Sequence, residues 1–224
     1  MNSRFEVKIP IPLNRLQQVE NWLTLHPSLF RRHYETRYIN SLYLDNPFLD
    51  RYQENLSGIS SRKKTRLRWY HQLATPTDAT LEHKYRRGGK GWKIQHPVSL
   101  NWQPDNPCWS RVLQQYFVTL PANIQATIGN EQSPIVIIRY LRDYYISADG
   151  KLRLTFDRNM ECYDQRYFNV ANFNHATSLG EYVLLEIKTD ADNEQALSHL
   201  VGSCPLRPSR HSKYVNGIRQ LIWL

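Results

Sequence analysis

Charged residues alternate with mostly apolar residues in five separate segments of this 224-residue sequence. Successive side chains of a β-strand point to opposite faces of a sheet, so each segment predicts a strand with one charged and one apolar face. A single strand of this kind is typical of an antiparallel sheet whose polar face meets water. The segments are residues 4–9, 64–70, 81–86, 151–157 and 185–188, and residues 40–45 and 135–144 predict two further strands.

The charged faces consist mainly of Arg and Lys with an occasional Glu, whereas a solvated face usually mixes Ser, Thr, Gln, Lys and Glu. Four segments have helical spacing with one apolar stripe each, and these stripes need the apolar face of the sheet. The charged face is then left to line a barrel or an open groove, and closure of the antiparallel strands would put the charges inside. The helical segments are residues 13–23, 109–117, 196–201 and 215–222.

A cationic interior constrains the function, because two like charges ~5 Å apart repel by about 3 kcal/mol at an effective dielectric constant near 20. Glu6, Glu82 and Glu186 on the same faces offset part of this repulsion, and a bound polyanion would offset the remainder. The net charge of +9 also favours an anionic partner. Carboxylates beside arginines further suit phosphate-bound Mg²⁺ or Mn²⁺, which prefers one or two carboxylates plus phosphate oxygens.

Other sequence features indicate the cellular compartment and the domain organisation. The three cysteines are widely spaced and lack a C-x-x-C pair, which indicates neither a disulfide framework nor a zinc site and favours a cytoplasmic setting. No apolar run approaches the roughly 18 residues of a membrane span, and the first residues lack the pattern of a secretory signal. Without repeats or linkers, the sequence predicts a single domain over residues 1–224.

Eight short motifs follow one another along the sequence. They are Arg4-Phe5-Glu6-Val7-Lys8, Ser41-Leu42-Tyr43-Leu44-Asp45, Lys64-Thr65-Arg66-Leu67-Arg68-Trp69-Tyr70, Glu82-His83-Lys84, Tyr140-Leu141-Arg142, Leu152-Arg153-Leu154-Thr155-Phe156-Asp157, Leu185-Glu186-Ile187-Lys188 and Ser212-Lys213-Tyr214. This ordered set resembles the triphosphate tunnel metalloenzymes, and within them the VTC domain, the polyphosphate polymerase domain of the vacuolar transporter chaperone complex. The first motif has the R-x-E-x-K form of the VTC branch, where tunnel triphosphatases and class IV-type adenylyl cyclases have E-x-E-x-K.

The resemblance implies an α+β fold, a closed tunnel of eight antiparallel strands with a charged interior and about four flanking helices. It implies that Glu186 holds a divalent metal, Mn²⁺ or Mg²⁺, and that a further lysine, Lys90 or by preference Lys93, contacts phosphate near the Gly88–Gly91 turn. Lys188 joins the candidates because it shares the charged face of Glu186. The resemblance implies phosphate contacts for Lys8, Arg66, Arg68, Lys84, Tyr140, Arg142, Arg153, Ser212 and Lys213.

Several of these residues have a second interpretation. Ser212 could cap the last helix instead of binding phosphate, and the Gly88–Gly91 segment could be a simple hairpin turn. Glu6 and Glu82 could hold metal or merely neutralise neighbouring arginines. Asp157 is more often structural, and the histidines lack metal-ligand spacing.

The resemblance implies a phosphotransferase that moves the γ-phosphoryl group of ATP onto inorganic polyphosphate. Two other functions stay open: hydrolysis of triphosphate or a nucleotide, with Glu6 or Glu82 assisting the attacking water, and non-catalytic polyphosphate sensing. Nucleic acid is not the expected partner, because the interleaved glutamates would repel a phosphate backbone on an open face. A separate membrane protein that takes up the polyphosphate would associate the chain with a membrane.

Overall fold

A computed structural model describes residues 4–76, 78–88, 90–100, 102–103 and 108–222. Nine strands and six α-helices follow one another along the chain. The strands are β1 (Arg4–Pro12), β2 (Arg31–Asp45), β3 (Arg62–Tyr70), β4 (Asp78–Arg87), β5 (Lys90–Ser99), β6 (Ser133–Ile146), β7 (Arg153–Asp164), β8 (Ala176–Ser178) and β9 (Tyr182–Asp190). The helices are α1 (Leu16–Leu25), α2 (Asp50–Ser57), α3 (Trp109–Phe117), α4 (Ala122–Ile128), α5 (Glu194–Ser203) and α6 (Lys213–Ile222).

All strands form one antiparallel sheet in the order β1-β9-β7-β6-β2-β3-β4-β5, and β8 pairs only with β7. The sheet is curled with its charged face on the concave side. Glu6 on β1 and Lys84 on β4 are far apart in the strand order, yet Nζ of Lys84 lies 2.9 Å from Oε2 of Glu6. We call the concave charged face the inner face.

The prediction of a closed barrel is wrong, because within the described residues no backbone pairing joins β1 to β5. The chain that leads into α6 occupies this edge: the carbonyl of Lys8 on β1 accepts a hydrogen bond from the backbone N–H of Ser209 at 3.0 Å. Nζ of Lys8 also donates to the carbonyl of His211 at 3.3 Å. The two edges of the sheet are therefore linked through side chains and a loop, and the sheet is an open half-barrel.

Helices cover the apolar outer face in two groups, as the alternating pattern predicts. Helices α3 and α4 pack over β2 to β5, where Leu42, Leu67 and Leu81 are buried. Helices α1 and α5 pack over β1, β7 and β9, where Ile9 and Ile187 are buried. These burials supply most of the hydrophobic stabilisation of the sheet.

The sequence predicted about four helices, and the structure has six. Helices α2 and α4 were not predicted because they lack an extended apolar stripe. Helix α2 buries none of its own side chains and is held at its start by Asp45. Oδ1 of Asp45 accepts the backbone N–H of Arg51 at 3.1 Å, and Oδ2 accepts that of Tyr52 at 3.0 Å. Helix α4 has only seven residues and follows Pro121.

Two strands were also missed. Strand β5 contains Pro97, which is tolerated because β5 lies at an edge of the sheet and pairs only with β4. Strand β8 has only three residues. The Gly88–Gly91 segment connects β4 to β5: Gly88 has φ +55°, and Arg87 pairs with Lys90. Gly89 lies outside the described residues.

Helix α6 packs on the inner face, where Tyr214 and Ile218 join Val136, Ile138 and Cys162 in a third core. Gly217 permits this close approach. A Cβ atom at Gly217 would lie 2.5 Å from Cδ1 of Ile138 and 3.5 Å from Cβ of Cys162. The helix therefore fills part of the inner face with apolar side chains and leaves the charged part open.

We expect Gly217→Val to destabilise the protein by about 1–3 kcal/mol, because the added methyl groups overpack the contact with wholly buried Ile138. Gly202→Val is the matched control: Gly202 is an exposed helical glycine, and a Cβ atom added there would have no neighbouring atom within 4 Å. Urea denaturation of both variants measures the difference. Equal stability of the two variants would contradict the close packing of α6.

Candidate functional site

The inner face carries more cations than carboxylates among the described residues. The two kinds of charge are arranged in two clusters, one around Glu186 and one around Glu82, with Glu6 between them. The cations are Lys8, Lys64, Arg66, Arg68, Lys84, Lys93, Arg142, Lys188 and Lys213, and the carboxylates are Glu6, Glu82, Asp157 and Glu186.

The Glu186 cluster consists of Glu186, Asp157, Arg142, Lys188 and Lys213. Oε1 of Glu186 accepts from Lys213 Nζ at 2.8 Å, and Oε2 accepts from Lys188 Nζ at 2.8 Å and from Arg142 Nη2 at 3.2 Å. Asp157 accepts two parallel hydrogen bonds from Arg142, at 2.5 and 2.7 Å, and lies 2.5 Å from Lys213 Nζ. Except for Lys188, the residues of this cluster are buried.

These groups stay charged at neutral pH despite burial. Burial alone would raise the pKa of Glu186, but Lys188, Lys213 and Lys8 outweigh it and hold that pKa well below its usual range. Burial likewise opposes the charge of Lys213, but Asp157 and Glu186 raise the pKa of its ammonium group. The cluster is therefore a set of mutually dependent ions.

Tyr140 lies beneath this cluster. Its ring centroid is 4.6 Å from Lys213 Nζ and 5.1 Å from the guanidinium carbon of Arg142, and the residue is buried. The resemblance implies a phosphate contact for Tyr140, and the structure places its ring as a cation–π support for two other predicted residues.

The Glu82 cluster consists of Glu82, Arg66, Arg68, Gln95 and Tyr43. Arg66 donates to Oε2 of Glu82 through Nε at 2.7 Å and to Tyr43 Oη through Nη1 at 3.0 Å. Gln95 donates to Oε1 of Glu82 at 2.8 Å, and Arg68 Nη1 lies 3.6 Å from the same oxygen. Burial would raise the pKa of Glu82, but Arg66 and Arg68 lower it far below its usual value.

Glu6 connects the two clusters across the open edge. Its carboxylate lies 2.9 Å from Lys84 Nζ and 3.2 Å from Lys8 Nζ, and Lys8 Nζ is 3.7 Å from Oε1 of Glu186. In the structure Glu6 pairs with two lysines and Glu82 with two arginines.

Three lysines form a row across neighbouring strands, since Lys64 pairs with Lys84 and Lys84 with Lys93. Like charges directly opposite one another destabilise a sheet. Lys64 Nζ donates to Ser212 Oγ at 2.7 Å, but no carboxylate of the described residues lies within 4 Å of it. Burial, Lys8 and Lys84 lower the pKa of Lys64 well below its usual range. Lys84 has Glu6 at 2.9 Å and Lys93 has Glu82 at 3.9 Å, so Lys64 is the member of this row without a carboxylate partner among the described residues.

Three buried polar atoms of the inner face have no hydrogen-bond partner within the described part of the chain: Arg68 Nε, Ser41 Oγ and Thr155 Oγ1. Ser41 and Arg68 lie opposite one another on β2 and β3. A buried donor without a partner costs free energy, so such atoms usually mark a ligand or water site. Together with the lysine row they mark a candidate anion-binding site.

The start of α6 faces this site. Ser212 precedes the helix, and its Oγ accepts the backbone N–H of Val215 at 3.3 Å while also accepting from Lys64. Ser212 therefore caps the helix, as one of its two interpretations held, and at the same time lies beside a cation of the inner face.

The other predicted residues differ in how they contact the two clusters. Lys93 Nζ lies 3.9 Å from Oε1 of Glu82, whereas the side chain of Lys90 lies outside the described residues. Arg153 stands apart from both clusters, with its Nη2 3.6 Å from Oδ1 of Asp190. Arg142 is engaged by Asp157 and Glu186, so a phosphate would have to share it.

Sequence reasoning missed Tyr43, Gln95 and Lys64 as members of the site. Tyr43 lies two residues after Ser41 on the inner face of β2, and its pKa is lowered because Arg66, Arg68 and Lys213 outweigh the effect of burial. Lys64 begins the same alternation as Arg66 and Arg68, so this pattern could have identified it. Gln95 lies on a strand that was not predicted.

The residues present fit a divalent metal only in part. Within the described ranges, no group of three His, Cys, Asp or Glu side chains could hold a metal ion. Glu186 and Glu6 both approach Lys8, so one or two carboxylates could bind a metal whose remaining ligands come from phosphate and water. The donor set therefore suits a metal that arrives with a phosphate ligand.

Within the described residues, no helix has the length and apolar character needed to cross a membrane.

Comparison with known proteins places the chain in a family. The sequence profile of the VTC domain matches residues 3–222. Vacuolar transporter chaperone complex subunit 2 of Saccharomyces cerevisiae (strain ATCC 204508 / S288c) is 23% identical over 235 residues, covering 80% of this chain and 28% of that subunit. The chain thus spans less than a third of the length of this curated relative.

Weaker similarity extends to solved structures. A protein of Pyrococcus horikoshii OT3 has a TM-score of 0.48 and 12% identity, covering 97% of this chain and 99% of its own. A putative adenylate cyclase from Vibrio parahaemolyticus has a TM-score of 0.48 and 15% identity, covering 96% of this chain and 97% of its own.

We expect the stability of the protein to depend on pH through His211. Burial, Lys213 and Lys8 lower the pKa of His211 from 6.5 to about 4, and its Nε2 lies 2.8 Å from Tyr182 Oη. Between these values the unfolded chain binds a proton that the folded chain does not, so stability falls as pH falls from about 6.5 towards about 4. We expect His211→Asn to flatten this fall by up to about 1 kcal/mol per pH unit.

Denaturation midpoints at pH 7, 6 and 5 measure this effect. His199→Asn, which changes an exposed histidine of α5, is the control and should keep the wild-type slope. An unchanged slope in His211→Asn would show that this histidine does not carry the dependence.

Proposed function

The chain belongs to the VTC domain family, and from that premise we propose that it is a metal-dependent phosphotransferase that extends inorganic polyphosphate with the γ-phosphoryl group of ATP. The observation that carries this proposal is the uncompensated positive charge of the inner face. Lys64 has no carboxylate partner among the described residues, and buried Arg68 Nε and Ser41 Oγ have no acceptor or donor there. A chain of phosphate groups offers closely spaced negative charge and acceptor oxygens for such a surface.

The reaction needs positioning and charge stabilisation more than covalent help from the protein. The terminal oxygen of the polyphosphate chain attacks the γ-phosphorus of ATP. A new phosphoanhydride bond forms, the bond to the β-phosphate oxygen breaks, and ADP leaves with the electron pair. The acceptor oxygen is already ionised at neutral pH, so no general base is required.

The cations of the inner face have different roles in positioning and charge stabilisation. Arg66 is held rigidly by Glu82 and Tyr43 and presents its charge to the inner face. Lys64 contacts Ser212 and Lys84 contacts Glu6, and each is a flexible point charge that would turn towards a bound phosphate chain. Such fixed and mobile cations stabilise the negative charge that spreads over the transferring phosphoryl group.

Glu186, with Glu6 beside it, would hold the divalent metal together with phosphate oxygens. When bound, this Mn²⁺ or Mg²⁺ would neutralise charge on the phosphates of ATP. The bound phosphates would also draw Lys213 and Lys188 away from Glu186, which frees carboxylate oxygens for the metal.

Phosphate transfer fits the site better than hydrolysis does. Hydrolysis would require a carboxylate that orients or deprotonates water. Glu82 is paired with Arg66, and the pKa values of both Glu6 and Glu82 are held below their usual range, by Lys84 and Lys8 in the case of Glu6. Carboxylates of such low basicity are poor general bases.

The matched relative is named as a subunit of a vacuolar transporter chaperone complex. We propose by analogy that a separate membrane protein accepts the polyphosphate product and associates this chain with a membrane.

Incubation of the purified chain with ATP and Mn²⁺ or Mg²⁺ tests the activity, with phosphate products resolved by length while ADP and orthophosphate are followed. We expect long chains and an equal amount of ADP. Orthophosphate without chains would indicate a hydrolase, and tight polyphosphate binding without turnover would indicate a sensor.

We expect Glu186→Gln to lose metal-dependent turnover by about 100-fold or more, because the variant loses the anionic metal ligand. Binding of metal-free tripolyphosphate is the control. It should be as tight as in the wild type or tighter, because a negative charge has been removed from the inner face. Turnover like that of the wild type would remove Glu186 from the mechanism.

We expect Lys64→Met to weaken tripolyphosphate binding about tenfold, the magnitude of one lost charge-assisted hydrogen bond. Without ligand the same variant should be at least as stable as the wild type, because repulsion within the lysine row is relieved. Arg111→Met removes a charge of the same sign from an exposed position of α3 and is the matched control. Equal affinity in both variants would contradict a phosphate contact for Lys64.

A further inference from the structure

A second group of side chains lies on the inner face beside the Glu186 cluster and takes no part in it. Tyr34, Arg37, Tyr70 and Tyr144 form this group, which we call the tyrosine platform. The guanidinium carbon of Arg37 lies 4.4 Å from the ring centroid of Tyr70, 5.1 Å from that of Tyr144 and 6.0 Å from that of Tyr34. Arg37 Nε also donates to Tyr144 Oη at 3.1 Å.

The backbone leaves this platform open. Strand β2 pairs with β3 only from Ile39 onward, so within the described residues its first half is a free edge of the sheet that pairs with β6 alone. Register shifts on both sides of Tyr34 bend this part of β2. Tyr34 is 55% exposed and Tyr70 38% exposed, so both residues are partly open to solvent.

The platform adjoins the phosphate site directly. Arg37 pairs with Arg142 across β2 and β6, and paired residues on antiparallel strands share a face with Cα atoms ~5 Å apart. Arg142 belongs to the Glu186 cluster, whereas no carboxylate of the described residues lies within 4 Å of the Arg37 guanidinium. A ligand could therefore reach both the platform and the cationic clusters.

The chemistry of the platform differs from that of the clusters. Exposed aromatic faces and a planar guanidinium bind flat π-systems by stacking, and a nucleobase offers such a face, whereas a chain of phosphates does not. The positive charge of Arg37 also suits the phosphate nearest the ribose. A nucleoside triphosphate combines both kinds of ligand group, because it contains a flat base and a chain of phosphates.

We propose that the tyrosine platform binds the nucleobase of the nucleoside triphosphate donor by stacking, while its phosphates extend towards Arg142 and the cationic clusters. This inference rests on the proposed function for the phosphate part of the ligand. Stacking without hydrogen bonds to the base edges discriminates weakly between bases, so the platform accepts several nucleotides and favours the larger purines.

The test compares ATP with inorganic tripolyphosphate, which has the phosphates but no base. In the double variant Tyr34→Leu/Tyr70→Leu, we expect the Kd for ATP to rise about tenfold, since loss of base–aromatic stacking has this magnitude. The Kd for tripolyphosphate should be unchanged. The matched variant Tyr34→Phe/Tyr70→Phe keeps both rings and should bind ATP like the wild type.

The outcomes are distinguishable. If the leucine variant binds ATP as tightly as the wild type, or loses both ligands equally, the platform does not bind the base. If the wild type binds neither ligand, both the platform and the phosphate site are wrong. If the difference between ATP and tripolyphosphate appears but the wild type forms no polyphosphate, the platform stands and the proposed polymerase activity fails.

Discussion

The structure depends on the buried ion pairs that join Arg142 and Lys213 to Asp157 and Glu186. Removing these charges from water is expensive, and each is tolerated only because the other three are in place. Lys213 is the first residue of α6, so the same ion pairs fix that helix against the inner face. A chain that lost Asp157 would leave Arg142 and Lys213 undercompensated and would weaken the anchor of its last helix, whereas a chain that lost Glu186 would keep both cations paired with Asp157.

The inner face contains two regions with different charge balance. We relate the first, the Glu186 cluster, to stability and the second, the lysine row, to the proposed ligand binding. Around Glu186 the charges nearly balance, whereas the lysine row of β3 to β5 has Glu6 as its nearest carboxylate and Lys64 has none within 4 Å among the described residues. Repulsion within this row opposes folding, and under the proposed function a bound polyanion would remove it. A site that holds like charges together for a ligand is less stable than a neutral surface.

The sequence predicted the parts of the fold that follow from periodicity. The strands on which Lys8, Arg66 and Glu186 lie were identified because charge and apolarity alternate along them, and the resemblance to the VTC domain was confirmed by the family match. Closure of the barrel was wrong, because it depends on whether β1 pairs with β5, and Ser209 occupies that edge instead. No local pattern encodes such a contact. Helix α2 was missed for a similar reason: Asp45 holds its start, and the helix buries none of its side chains.

The two ends of the inner face carry different kinds of side chain, so the groove that this face forms is asymmetric along its length. On β6, β7 and β9 one end is filled by the apolar side chains of α6, which leaves no room for a ligand beside Tyr214 and Ile218. The opposite end carries exposed Tyr34 on the part of β2 that does not pair with β3. A ligand with one flat end and one anionic end can bind in a single orientation on such a surface. Its phosphates must then point towards the middle of the groove, where Arg142 and the paired clusters concentrate the positive charge.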